Sequence, residues 1–152
     1  MVLTGPLVRV HQSQLGRSQR AARVAAEIAC ALGFTGAYVP GGGPPEQSPA
    51  FDGNLLTSDR ERYLRAHAVI EAAPELAIGS PTIGWLRACL RSTSITQSPD
   101  YPSRVRVPLL LVAAGDDKIV STPHIEEFAL RLKLGTHVLI GPSRHEILQE
   151  NE

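Results

Sequence analysis

Residues 107–120 read VPLLLVAAGDDKIV, and 28 positions beyond Asp117 stands His145, in HVLIGPSRHEIL (137–148). The run 107–114 is apolar without interruption and has the length of one strand, the pattern of a strand buried on both faces of a parallel sheet. It ends at Gly115-Asp116-Asp117. Residues 123–132 read as a helix with Ile125, Phe128, Ala129 and Leu132 on one face, and Gly135 terminates it. Residues 137–140 form a second short strand, 141–144 a turn, and 146–150 the start of another helix. Strand, helix, strand and helix start make a βαβ unit, so the chain is α/β in class.

Ligands and reactive groups of an open α/β sheet collect beyond the carboxyl ends of the strands. The two strands place Asp117 and His145 at such ends, on the same edge of the sheet. A carboxylate there can accept from Nδ1–H of the imidazole, fix its tautomer and stabilise the imidazolium. Nε2 is then free to take a proton. Each residue alone has a plainer reading: the Asp as a loop residue or helix cap, the His as a surface or satisfied core histidine. Their pairing at the ends of neighbouring strands favours the acid–base reading. Asp116 and Asp117 are adjacent and point apart on extended backbone, so no metal site is expected.

Working upstream, residues 1–3 form a short strand. Residues 12–32 read as one helix. Leu15, Ala22, Ala25, Ile28 (or Ala29) and Leu32 form its apolar stripe, and Arg17, Arg20, Arg23 and Glu27 a solvated face. Gly33 stops it. The loop 39–50, VPGGGPPEQSPA, admits no regular structure. A helix follows with Thr57 or Ser58 as N-cap, Tyr63, Ala66 (or His67), Ile70 and Ala73 on its apolar face, and Pro74 at its end. Pro81 starts another, with Ile83, Trp85, Leu86 and Leu90 as apolar members. The Ser/Thr/Pro-rich stretch 92–103 reads as loop.

The chain has 152 residues, 15 basic against 15 acidic, and 43% hydrophobic residues. Zero net formal charge argues against nucleic acid as a partner. No apolar run approaches the ~18 residues of a membrane span, and residues 1–10 carry no secretory signal. Cys30 and Cys89 match no metal or redox spacing and read as small buried residues of a reducing compartment. A cytoplasmic location is expected, with a membrane-peripheral one open.

The string LLLVAAGDDKIV, followed by a helix, a strand and GPSRHEIL, resembles the C-terminal half of an α/β-hydrolase. With NLLTSDRERY (54–63) and GSPTIGWLRA (79–88), it is most similar to the lysophospholipase L2 and monoacylglycerol-lipase-like branch, also grouped as serine aminopeptidase S33. The resemblance covers nearly the whole chain. It implies a partial α/β-hydrolase fold: parallel C-terminal strands, flanking helices and a helical lid. Residues 1–38 would be the strand and helix after the nucleophile. Residues 51–103 would be the lid or cap (51–91 matching the family's cover), and 104–152 the βαβ unit with Asp and His.

Carried over, the family pattern makes Asp117 the catalytic acid and His145 the base. Asp117 matches rather than Asp116 because a basic residue and two apolar ones follow it. Trp85 is a candidate wall of the substrate pocket, or a core tryptophan. The implied parent activity is hydrolysis of a lysophospholipid or monoacylglycerol-like ester by a Ser-His-Asp mechanism, without cofactor or metal. A peptide or small-ester substrate is the alternative.

One element departs from the family. A G-x-S-x-G elbow is required for the nucleophile, and no such string occurs. Gly16-Arg17-Ser18-Gln19-Arg20 lacks the second small residue and falls inside the predicted helix. The resemblance places the elbow and the oxyanion loop before the point that matches Met1, and the rest of the last helix beyond Glu152. The chain is therefore expected to be an internal window of a larger hydrolase domain, inactive alone, with no nucleophile of its own. The first strand's open edge could also self-associate or bind a partner, which is the non-enzymatic alternative.

Overall fold

The computed structural model describes residues 1–16, 18–45 and 50–151. Arg17 and positions 46–49 of the Pro/Gly-rich loop, for which expectations were stated, lie outside the described residues. Three parallel strands form one sheet in the order β1 (Val2–Thr4), β2 (Leu109–Ala114), β3 (Gly135–Ile140). The helices are α1 (Gln12–Leu15), α2 (Gln19–Ala31), α3 (Arg60–Ala72), α4 (Ile83–Thr96), α5 (Tyr101–Arg104) and α6 (Thr122–Leu130).

The core lies between one face of β2 and α6. Leu109, Leu111 and Ala113 alternate onto that face and meet Ile125, Phe128, Ala129 and Leu132, with Val8 and Val120 closing the side. Ile125, Phe128 and Ala129 are the α6 residues that the 3.6-residue period selects, and Leu132 joins them from the turn just past the end of the helix, which was expected to run to 132. The other face of β2 differs from the expectation of two-sided burial. Leu110 and Val112 are only half-buried, whereas Ala114 at the end of the same face is fully buried.

Several local boundaries also differ. The expected helix over 12–32 is broken at Gly16, whose φ of 67° is open to glycine; Ser18 then caps α2 by accepting from the Ala21 N–H. The face of α2 that packs on α4 is the small-residue one, with Ala26 buried and Ala22 and Ala29 half-buried. Ile28 and Leu32 are 56% and 69% exposed. Small side chains let the two helix backbones approach. Arg23 and Glu27, expected on a solvated face, reach across to Ser94 and Arg87. Cys30 is half-buried and Cys89 buried, both as free thiols.

The stretch 92–103 is largely helical, since α4 runs to Thr96 and α5 follows. Ser94 and Thr96 return their hydroxyls to carbonyls of their own helix, and buried Thr93 accepts from Gln19 Nε2. Gly135 opens β3 rather than ending α6. A Cβ there would come within 2.5 Å of Leu132 Cβ and 3.0 Å of the Ala129 carbonyl. The final segment is a short 3-10 turn, Ile147–Gln149, instead of an α-helix start.

Candidate active site

The carboxyl ends of all three strands converge on His145. Gly5 follows β1 with φ of 51°, a conformation that side-chain-bearing residues rarely adopt, and a Cβ on it would lie 3.2 Å from His145 Cε1. A glycine is needed here for the backbone turn and for the close approach. The sequence contains this glycine but not the contact that explains it. The loop after β1 is tied to the loop after β2 by His11 N–H to Ile119 O, 2.8 Å, and Ser121 N–H to Arg9 O, 2.8 Å.

Asp117 uses both carboxylate oxygens. Oδ1 accepts from the backbone N–H of Ile119 at 2.8 Å and of Val120 at 2.9 Å. Oδ2 lies 2.8 Å from Nδ1 of His145. The Asp117 side chain is fully buried and that of His145 is 24% exposed. Burial by itself pushes the Asp117 carboxyl up. The hydrogen bond from His145, the two backbone bonds and the charge of His145 outweigh it and hold the carboxyl below its ordinary value. Asp116, by contrast, turns outward and pairs with Lys118 Nζ at 2.6 Å. The two aspartates thus point apart, and among the described residues no group of three His, Cys, Asp or Glu side chains is placed to hold a metal.

The geometry commits Nδ1–H of His145 to Asp117 and leaves Nε2 outside that contact, as the nitrogen that could exchange a proton. Among the described residues no serine hydroxyl is hydrogen-bonded to Nε2. A Ser–His contact away from this pair, unforeseen from sequence, has a different meaning. Ser121 Oγ lies 2.7 Å from His124 Nδ1, but His124 Nε2 lies 2.9 Å from the Arg9 guanidinium, which can only donate. Nε2 therefore accepts, Nδ1 carries the proton and donates to the Ser121 hydroxyl oxygen, so that this serine is not activated. Burial and the Arg9 charge push the His124 pKa down, in keeping with a neutral ring.

An apolar groove of about 650 Å³ reaches Ile119, two residues past Asp117; neither Asp117 nor His145 is part of its lining. Leu7 and Ile119 line it near the strand ends, Ala22 and Ala26 line it from α2, and Trp85 and Leu86 from α4. Trp85 is 52% exposed, so it is a groove wall and not a core residue.

The parallel sheet with flanking helices is the fold of an α/β-hydrolase. The family model described as Serine aminopeptidase, S33, matches residues 1–152, and the chain belongs to that family. It is 26% identical over 121 residues to a probable lysophospholipase L2 of Haemophilus influenzae, an alignment covering 80% of this chain and 38% of that protein. It shares its fold with a soluble variant of monoglyceride lipase from Saccharomyces cerevisiae, crystallised with a substrate analogue. The TM-score is 0.66 at 15% identity, over 99% of this chain and 49% of that one. The chain thus spans less than half the length of either relative.

Proposed function

We propose that this chain supplies the acid and base of a Ser-His-Asp ester hydrolase acting on monoacyl lipids, the nucleophile serine coming from a segment outside these residues. The observation that carries the reading is the 2.8 Å contact between buried Asp117 and His145 at the ends of adjacent parallel strands. In the reaction, His145 Nε2 takes the serine proton as Oγ attacks the ester carbonyl. The tetrahedral intermediate collapses, and the departing alcohol takes that proton. Water, deprotonated by the same nitrogen, then attacks the acyl-serine, and the proton passes from Nε2 to serine Oγ as the acid is released. Asp117 holds the tautomer and stabilises the imidazolium.

The apolar groove favours an acyl chain, with Trp85 as a wall and residues 51–103 as its cap. The S33 family name favours an aminoacyl substrate instead. A substrate panel separates the two. The chain is grafted in place of the matching segment of the lysophospholipase L2 relative and given a monoacylglycerol, a lysophospholipid and an aminoacyl anilide. Ester hydrolysis that falls by about three orders of magnitude or more in His145→Ala is the expected result. The purified chain alone is expected to show neither hydrolysis nor labelling by a fluorophosphonate. Hydrolysis by the chain alone that survives His145→Ala would overturn the reading, and preference for the anilide would move the substrate class to peptides.

A further inference from the structure

The polar residues of NLLTSDRERY, residues 54–63, converge on the loop that carries His145. Arg144 Nη1 donates to the carbonyls of Asn54 and Thr57 at 3.0 and 3.1 Å. On the other side of His145, Glu146 N–H donates to Leu56 O at 2.8 Å. Thr57 Oγ1 donates to Gln149 O at 2.7 Å, and Arg62 Nη1 to Leu148 O at 3.1 Å. The Glu150 carboxylate accepts from Ser58 N–H at 3.0 Å, from Ser58 Oγ, and from Arg144 N–H at 2.8 Å. Asn54 prepares this surface: its Oδ1 accepts from the N–H groups of Leu56 and Thr57, which curls the segment into a turn.

Both chain neighbours of His145 are therefore bonded to one distant segment, while its ring is bonded to Asp117. The imidazole is held at two ends, through its backbone by residues 54–58 and through Nδ1 by the carboxylate. We propose that residues 54–62, with Arg144 and Glu150 as their counterpart, form a clasp that positions His145. The inference rests on the acid–base reading of Asp117 and His145 and adds positioning residues to it. A clasp serving only general stability would loosen the whole fold when cut. A positioning clasp loosens the His145 ring first, because the other anchor, Asp117, is fixed independently by Ile119 and Val120.

The test follows the imidazole itself, in the ¹⁵N-labelled full chain, by the exchange of His145 Nδ1–H with water. Arg144→Ala and Glu150→Ala are each expected to speed that exchange about tenfold or more, since each removes at least two charge-assisted hydrogen bonds. The amides of Ile119, Val120 and β2 should keep their rates within about twofold, as a local change requires. Ser58→Ala removes a single hydroxyl and serves if the larger changes prevent folding; a rise of about threefold is expected from one exposed bond to the Glu150 carboxylate. An unchanged Nδ1–H signal in the folded variants would overturn the proposal. So would equal acceleration of every amide. The readout needs no catalysis, so a failed clasp leaves the hydrolase reading standing, and a failed hydrolase assay leaves the clasp result readable.

Discussion

Asp117 divides its oxygens between two tasks, fixing the loop with Oδ1 and orienting His145 with Oδ2. Its carboxyl lies below the ordinary 3.8 when folded. The carboxylate form thus contributes stability that is fully present above the unfolded value and is lost as pH falls through the folded one. Thermal melts from pH 6 to pH 2 should therefore steepen below about pH 4, and Asp117→Asn should flatten that limb. The Asn oxygen can still accept from Ile119 and Val120, but its NH2 would face Nδ1 and favour the wrong tautomer. In the grafted enzyme the same change is expected to cost about four orders of magnitude in kcat. An acid limb identical in wild type and Asp117→Asn would show that the shift contributes no stability. At this scale the sequence was informative about type and end of strand. It could not choose between Asp116 and Asp117 from spacing alone, because that choice depends on which side chain the turn directs inward.

At the scale of elements, capping shows how tertiary contacts overrule local preference. Thr57, Ser58 and Asp59 are consecutive good N-caps for α3. The structure uses Asp59, which accepts from the Arg62 N–H at 3.0 Å. Thr57 and Ser58 are taken by Gln149 and Glu150, 92 residues away. No reading of the local pattern includes those partners. The α2–α4 interface makes the same point. The heptad-like stripe permitted Ile28 or Ala29, and close packing selected the alanine face. Ala26→Leu is expected to destabilise by about 1–3 kcal/mol through overpacking, whereas Leu32→Ala on the exposed side should stay within about 0.5 kcal/mol. Urea unfolding of both variants measures this. A larger loss for Leu32 than for Ala26 would reverse the assigned face.

For the whole molecule, the telling feature is the sheet's β1 edge. Gly5 N–H donates to Val112 O, and Leu110 N–H donates to Met1 O. Parallel alternation then turns the N–H groups of Val2 and Thr4 away from β2. Hydrogen exchange should find these two amides near the unprotected rate in the isolated chain, with Gly5 slowed. In the grafted hydrolase Val2 and Thr4 should become protected as a neighbouring strand pairs with them. Strong protection of both in the isolated chain at low concentration would contradict an open edge. The half-buried second face of β2 belongs with this observation. The apolar run 107–114 is written for a sheet covered on both sides, and Leu110 and Val112 are covered only in part.

The sequence by itself determined the α/β class, the parallel βαβ unit, the core face of α6 and the strand ends that carry Asp and His. These depend on period and on residue type, which are local. Only the tertiary structure decided how Asp117 divides its two oxygens, why residue 5 is glycine, which face of α2 packs, and what NLLTSDRERY touches. Each of those is a contact between segments far apart in the chain, and its energy depends on distances that no one-dimensional pattern contains.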